Sequence, residues 1–359
     1  MLLIDRAKQI ENIIDMVDFN EVYRYFEKQK VAIYQDGFLH FSDIKLQYSL
    51  NDLLPNEWAI INYDDLSNDD MFNAGMFIQK MFINMFYKRH DARIPIDLAA
   101  LDYPQIYLNF DYMRYERQML YKAATTADRN IKINYFRMFI NVRDLRKQII
   151  GQSFSKLEYQ LETIEGLSQY AMYKAIKTIQ KKKADNIFKE LTIDFNALSR
   201  EYFDFRHANM YSGLLICKIL EELQINFEEL YSNETTIFDF VLTKIKYIAE
   251  PIAFKSDKAL IANWNKYNEE ISERMQIFFE NNPKKINGYY QIFGYDPERI
   301  FKSKGNIFHE SFVILKDLLT NELIYLVGPI VTKIIDNSID IVSTYYQIGG
   351  LKHDKHKPK

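Results

Sequence analysis

The N-terminal part of the chain carries helical and then strand-like patterns of hydrophobic residues. Before Val31, apolar side chains recur at the three-to-four-residue spacing of an amphipathic helix. Two β-rich runs follow, Val31–Tyr34 and Phe38–Phe41, and the Asp36-Gly37 pair between them is typical of a hairpin turn. Trp58–Asn62 is a third run of this kind. The pattern therefore predicts N-terminal helices and a small sheet over residues 1–66.

The middle of the chain predicts a helical body over residues 67–282. Residues 69–87 start with two aspartates and then place Met, Phe and Ile on nearly all faces, so this helix is expected to be buried. Helical spacing continues over residues 107–149, and Gly151 is expected to end that helix. The next helix is predicted over residues 155–183.

The C-terminal part changes to short β-rich runs separated by turn residues. These runs are Tyr289–Ile292, Phe312–Leu315 and Leu323–Val327. They predict a C-terminal α+β portion over residues 283–350, and the polar residues 351–359 are expected to form a disordered tail. The predicted fold class is α+β and predominantly α-helical.

Composition narrows the functional classes. The formal net charge is -3, from 46 basic and 49 acidic residues, so no nucleic-acid partner is predicted. No apolar run has the length of a membrane span, and the N-terminus shows no secretory signal pattern. The single cysteine, Cys217, rules out an internal disulfide and is typical of a reducing compartment. These features predict a cytoplasmic protein without a membrane span, and they leave its oligomeric state open.

Two separated segments carry the candidate chemistry. The first is the apolar stretch from Gly75, which contains Gln79, Lys80 and Ile83, and the second contains Glu162 and Glu165-Gly166. We call the five residues Gln79, Lys80, Ile83, Glu162 and Glu165 the vestigial cleft. The name refers to the metal-binding cleft that the resemblance described next implies for these two segments.

The two segments resemble the gluzincin type of zincin metallopeptidases, in an uncharacterised bacterial family. In gluzincins an H-E-x-x-H helix supplies two ligands and a general base, and a later helix with E-G-x-A-x-Y supplies the third ligand. The resemblance extends from about Gly75 to Gly328 and includes Arg93, Glu116, Arg143, Arg146 and Glu158. It implies a zincin-like helical body and a ligand role for Glu165, while Gln79, Lys80 and Ile83 replace the first motif.

These replacements argue against zinc chemistry. Ile83 has no lone pair, Gln79 offers only a weak amide oxygen, and Lys80 would repel a dication. No metal, other cofactor or catalytic residue is therefore predicted. The first functional hypothesis is a catalytically inactive zincin-like protein that binds a peptide or protein in the inherited cleft. The alternatives are an active hydrolase with an unconventional metal site and a helical protein-interaction module without a cleft function.

The pattern also makes predictions about individual side chains. Glu158, Glu162 and Glu165 share one helix face, and such a stripe is usually solvated, with Glu165 expected to be the buried exception. Gly166 is expected to allow a close helix contact, either beside a site or in plain packing. Lys80 or Gln79 is expected to contact Glu165 or Glu162 in place of the missing metal.

Overall fold

The structure is a computed structural model that divides the chain into two compact units. It describes residues 2–23, 25–48, 57–95, 97–104, 106–198, 200–203, 205–253, 255–296, 299–303, 305–336, 338–348 and 354–356. The helical unit comprises Met1–Pro95 and Leu108–Lys255, and the sheet unit comprises Ile96–Tyr107 and Ser256–Lys359. The fold is α+β and predominantly helical, as predicted.

The helical unit combines a small sheet with long helices. Its described helices are α1 (Leu3–Ile14), α2 (Phe19–Val22), α3 (Asp70–Lys88), α4 (Tyr107–Thr125), α5 (Arg129–Ile179), α6 (Lys181–Asn196), α7 (Phe205–Glu222) and α8 (Ile237–Lys244). Its described strands are β1 (Lys30–Gln35), β2 (Phe38–His40), β3 (Lys45–Gln47) and β4 (Trp58–Asn62).

The small sheet has the strand order β3-β2-β1-β4. β1 and β2 pair antiparallel across the predicted turn, where Asp36 and Gly37 both have positive φ angles. β4 joins β1 in parallel, so that Val31 lies opposite Ala59. The three strands that the hydrophobic pattern predicted are therefore confirmed.

Helix α5 is the centre of the helical unit. Between Ser155 and Ile176 almost every side chain is buried, on all faces of the helix. Helix α5 contacts α3, α6, α7 and α8. A helix that is apolar or buried all round is expected only at the middle of a bundle.

Three predicted helix bounds differ from the observed ones. The helix predicted over residues 155–183 ends at Ile179, and α6 begins at Lys181. The helical stretch over residues 107–149 is divided between α4 and α5, because Asp128 caps a new helix by accepting hydrogen bonds from the amides of Asn130 and Ile131. Gly151 kinks α5 instead of ending it, with φ 82° and ψ 165°. This backbone conformation is open essentially only to glycine. The predicted start of α3 is confirmed, since Asp69 accepts from the amides of Met71 and Phe72.

The sheet unit contains one long helix and an antiparallel sheet. The helix is α9 (Lys258–Glu280), and the described strands are β5 (Lys284–Tyr295), β6 (Ile300–Ser303), β7 (Asn306–His309), β8 (Phe312–Asp317), β9 (Leu323–Val327), β10 (Ile330–Ile334), β11 (Ile341–Gln347) and β12 (Asp354–His356). Their order in the sheet is β12-β9-β8-β5-β11-β10-β7-β6. All three predicted β-rich runs lie in strands of this sheet.

The two faces of this sheet pack separate cores. On one face, Ile292, Val313, Ile330 and other apolar side chains pack with Leu98 from the segment before α4. On the other face, Phe278 of α9 packs against neighbours that include Phe308 and Val331. The alternation along the strands explains the division, since successive side chains point to opposite faces.

The compact units differ from the predicted domain boundaries. Residues 1–66 and the following helices form one unit, because Ile10, Ile33 and Ala59 share a hydrophobic core with Phe77 of α3. α9 belongs to the sheet unit and not to the helical body. In the predicted disordered tail, Asp354–His356 pair with β9, whereas residues 351–353 and 357–359 lie outside the described residues. Among the described helices, none combines the length and the low polarity needed to span a membrane.

Buried His309 makes the stability of the sheet unit depend on pH. One ring nitrogen lies 3.0 Å from the Thr332 hydroxyl oxygen, and burial lowers the pKa of His309 to about 3. The unfolded chain, with the ordinary pKa of 6.5, binds more protons between these values, so stability must fall as the pH falls from 6.5 towards 3. We expect denaturant titrations to show a loss of up to about 1.4 kcal/mol per pH unit in this window. The variant His309→Asn should lack that slope, and equal slopes in both proteins would contradict the assignment.

Candidate functional site

The two helices of the vestigial cleft lie side by side. A Cβ atom added at Gly75 of α3 would lie 2.7 Å from Ile176 Cδ1 and 2.9 Å from Met172 Cγ of α5. The amides of Gln79 and Gln169 both donate to the sulfur of Met210 on α7, at 3.7 Å and 3.1 Å. The predicted packing of the Gln79 helix beside the Glu165 helix is confirmed.

Gly166 marks a close crossing of α5 and α7. A Cβ atom added at Gly166 would lie 2.7 Å from the carbonyl carbon of Gly213, and one added at Gly213 would lie 2.7 Å from Gly166 Cα. The atoms that such a methyl group would meet are backbone atoms, which cannot rotate away. The glycine of the E-G motif therefore serves helix packing, which was one of the two predicted roles.

A buried ionic network occupies the space beside this crossing. Arg143 donates from Nε and Nη2 to Glu116 Oε1 at 2.9 Å and 2.7 Å, and from Nη1 to Glu162 Oε1 at 2.8 Å. Arg146 donates to the other oxygen of Glu116 at 2.7 Å and to both oxygens of Glu158 at 2.7 Å each. All five side chains are buried. The network joins α4 to both halves of the kinked α5.

The two carboxylates that Arg143 binds have pKa values shifted in opposite directions. Burial alone would raise the pKa of Glu116, but Arg143 and Arg146 lower it below its ordinary value. Burial raises the pKa of Glu162 although Arg143 and the Ser212 hydroxyl stabilise its charge. Ser212 donates to Glu162 Oε2 at 2.6 Å, so both oxygens of this carboxylate have a partner.

The expectation of a solvated glutamate stripe is wrong for Glu158 and Glu162. Their exposed fractions are 2% and 0%, and Glu165 is 5% exposed. Only the burial of Glu165 was predicted. The physical reason is that arginines from an earlier part of the same helix neutralise Glu158 and Glu162, which makes burial of a carboxylate tolerable.

The residues at the vestigial cleft do not fit a zinc ion. The Gln79 amide is bonded to a thioether, Ile83 has no ligand atom, and both oxygens of Glu162 are engaged by Arg143 and Ser212. Within the described part of the chain, no three His, Cys, Asp or Glu side chains come together as a metal site would require. A zinc ion needs three or four such ligands around one point.

Lys80 does not replace the metal at Glu162. Lys80 is an exposed residue of α3, and the partner of Glu162 is Arg143. The expected contact of Lys80 or Gln79 with Glu162 is therefore wrong, whereas their expected contact with Glu165 stays a prediction. We expect Lys80→Met to change the free energy of unfolding by about 0–1 kcal/mol, because exposed charges contribute little. Urea titration of the variant tests this, and a loss above about 3 kcal/mol would restore the original expectation.

A cavity of about 350 Å³ opens at the kink of α5. Its wall comes from α5 on both sides of Gly151, from the segment before α8 with the first turn of α8, and from the residues after α3. The lining residues are Ala92, Arg93, Lys147, Gln152, Ser155, Lys156, Tyr159, Gln160, Glu234, Thr236 and Asp239. Because Gly151 turns the helix here, residues on both sides of the kink contribute to one concave surface.

Part of this lining is fixed by contacts within the protein. The Arg93 guanidinium donates to the Asp91 carboxylate at 2.8 Å and to the carbonyls of Leu230 and Thr235 at 2.8 Å and 2.9 Å. Burial alone would raise the pKa of Asp91, but the hydrogen bonds from Arg93 and Arg89 lower it to about 2. The ring of Tyr159 packs on Phe238 with centroids 4.6 Å apart, and burial raises the pKa of Tyr159. Arg93 and Tyr159 are therefore held by partners within the protein.

The sequence predicted a helix end at Gly151, and it predicted neither the kinked continuation of α5 nor the cavity. Gly151 was predicted as a helix break, and a break inside a long helix is the signal that such a surface could form there. No sequence motif marked Lys147, Lys156 and Glu234 as neighbours, because the cavity is formed by segments that are distant in sequence. Comparison with protein-family models, with curated proteins and with solved structures finds no match to this chain. The resemblance to gluzincins therefore stays a prediction.

Proposed function

We propose that the helical unit is a catalytically inactive, zincin-like binding module whose ligand is a peptide. The observation that carries the proposal is the backbone contact between Gly166 and Gly213. Helix packing uses Gly166, the residue next to Glu165, and Glu165 holds the position of the third metal ligand in the resemblance to gluzincins. The neighbouring Glu162 is used by Arg143 and Ser212, so the vestigial cleft contributes to stability and not to chemistry.

We place ligand binding in the cavity at the α5 kink instead of the vestigial cleft. A concave surface that combines an aromatic side chain, here Tyr159, with a few polar groups is the usual form of a ligand site. The cavity offers hydrogen-bonding side chains of both charges beside Tyr159. A peptide matches this surface because it has donors, acceptors and apolar side chains together. We keep the predicted cytoplasmic location, which is supported by a single, buried cysteine.

Blocking the cavity tests this function. Gln152 and Gln148 are both exposed residues of α5, but only Gln152 lines the cavity. A randomised peptide library is selected on the immobilised full-length protein, and the enriched peptides are then measured with the variants Gln152→Trp and Gln148→Trp. We expect Gln152→Trp to abolish binding and Gln148→Trp to leave it unchanged.

Other outcomes separate the alternatives. Enriched peptides that bind both variants equally would favour the helical interaction module without a cleft function. Cleavage of the library by the wild-type protein, lost on Glu165→Ala, would favour the unconventional hydrolase. A selection that enriches no peptide contradicts the proposed function.

A further inference from the structure

The charges of the cavity fall into two groups, according to whether the protein itself satisfies them. Arg93 is held by Asp91 and two carbonyls, and the Asp239 carboxylate accepts the Thr236 hydroxyl at 2.6 Å. Lys147 is half-buried, and Lys156 and Glu234 are exposed. Their charged groups form no hydrogen bond or ion pair with the described residues. The cavity therefore keeps positive and negative groups that nothing in the described protein neutralises.

The positive and negative side chains of the cavity lie on different elements. Lys147 and Lys156 belong to α5, on either side of the kink at Gly151. Glu234 precedes α8, and Asp239 lies in the first turn of α8. A ligand that satisfies both sides must carry an anionic and a cationic group at separate positions.

We propose that the cavity binds a small zwitterion, a free amino acid or a dipeptide with both termini free. The ligand carboxylate contacts Lys147 and Lys156, and the ligand ammonium contacts Glu234 and Asp239. This inference rests on the proposed function and names its ligand class. A partly enclosed cavity strengthens such ion pairs relative to open water.

Size and charge argue against other ligand classes. A volume of about 350 Å³ is at the lower end of the range for ligand sites, which fits one or two amino-acid residues better than a long peptide. A phosphate or an acidic peptide would meet Glu234 and Asp239 as repulsive neighbours. A cation without a carboxylate would leave the two lysines unsatisfied. The mixed charge thus favours a zwitterion.

The test uses one dipeptide in three forms. Alanyl-phenylalanine, its N-acetyl form and its C-terminal amide are titrated into the full-length protein by calorimetry. We expect the free dipeptide to bind, and the loss of either terminal charge to weaken binding about tenfold, as one ion pair in a partly buried site does. Fully capped N-acetyl amide should bind most weakly.

Charge variants identify which side chains of the cavity bind the ligand carboxylate and which bind its ammonium group. In the double variant Lys147→Met with Lys156→Met, the free dipeptide and its amide should bind equally. In Glu234→Gln, the preference for the free dipeptide over its N-acetyl form should fall. Lys189→Met and Glu190→Gln remove exposed charges of α6 outside the cavity and should change neither preference.

Different experimental outcomes would contradict the zwitterion ligand and the proposed binding module. If the capped dipeptide binds as tightly as the free form and Gln152→Trp abolishes that binding, the zwitterion inference is wrong and the binding module stands. If none of the forms binds while library peptides still require an open cavity, the inference is wrong in the same way. If neither dipeptides nor library peptides bind, both are wrong.

Discussion

Replacing Arg143 by methionine is expected to destabilise the protein by about 3–5 kcal/mol, the usual effect of removing one partner from a buried ion pair. Arg143 holds both Glu116 and Glu162, and its side chain is 3% exposed. Its loss leaves two buried carboxylates with fewer partners. Urea unfolding followed by far-UV circular dichroism measures the change.

Arg137→Met is the matched control for this prediction. Arg137 lies on the same helix but is exposed, and its Nε donates to the Lys246 carbonyl at 3.1 Å. This variant should lose at most about 1 kcal/mol. Adding Glu162→Gln to Arg143→Met should recover part of the stability, because it removes one of the carboxylates. Equal effects of Arg143→Met and Arg137→Met would show that the network is not a stabilising centre.

Gly166→Ala is expected to destabilise the protein by about 3 kcal/mol or more, the upper range for overpacking a core. In an isolated helix the same substitution would stabilise by about 1 kcal/mol. Here the added methyl group would lie 2.7 Å from the Gly213 carbonyl carbon, so the backbones of α5 and α7 must move apart at this crossing. The free energy of unfolding in urea is again the measurement.

Gly75→Ala supplies the comparison for Gly166. The methyl group at Gly75 also meets atoms closer than 3 Å, but these belong to the flexible side chains of Ile176 and Met172. These side chains can move, so this variant should be clearly less destabilised than Gly166→Ala. The opposite ranking would mean that the backbone contact between α5 and α7 is not tight.

Local sequence signals predicted much of the fold. The Asp36-Gly37 turn, the Asp69 cap of α3 and the β-rich runs near the C-terminus depend on neighbouring residues only. Gly151 was recognised as a break, since glycine stands out in a helical pattern. Such signals do not show whether a helix ends at the glycine or continues in a new direction, and here α5 continues past the kink.

Burial of charged residues could not be predicted from the same signals. Glu158 and Glu162 look like a solvated stripe until Arg143, Arg146 and Glu116 are placed next to them. These partners come from other turns and another helix, so the decisive contacts are tertiary. The cavity was missed for the same reason, because its oppositely charged walls come from segments far apart in the chain.

We expect the vestigial cleft to pack the interior of the helical unit and to hold no metal ion. Elemental analysis of protein purified without chelator, before and after incubation with zinc and removal of excess metal, tests this claim directly. We expect far less than one zinc ion per chain in both samples, and no change on Glu165→Ala. Near-stoichiometric zinc that is lost on Glu165→Ala would contradict the account.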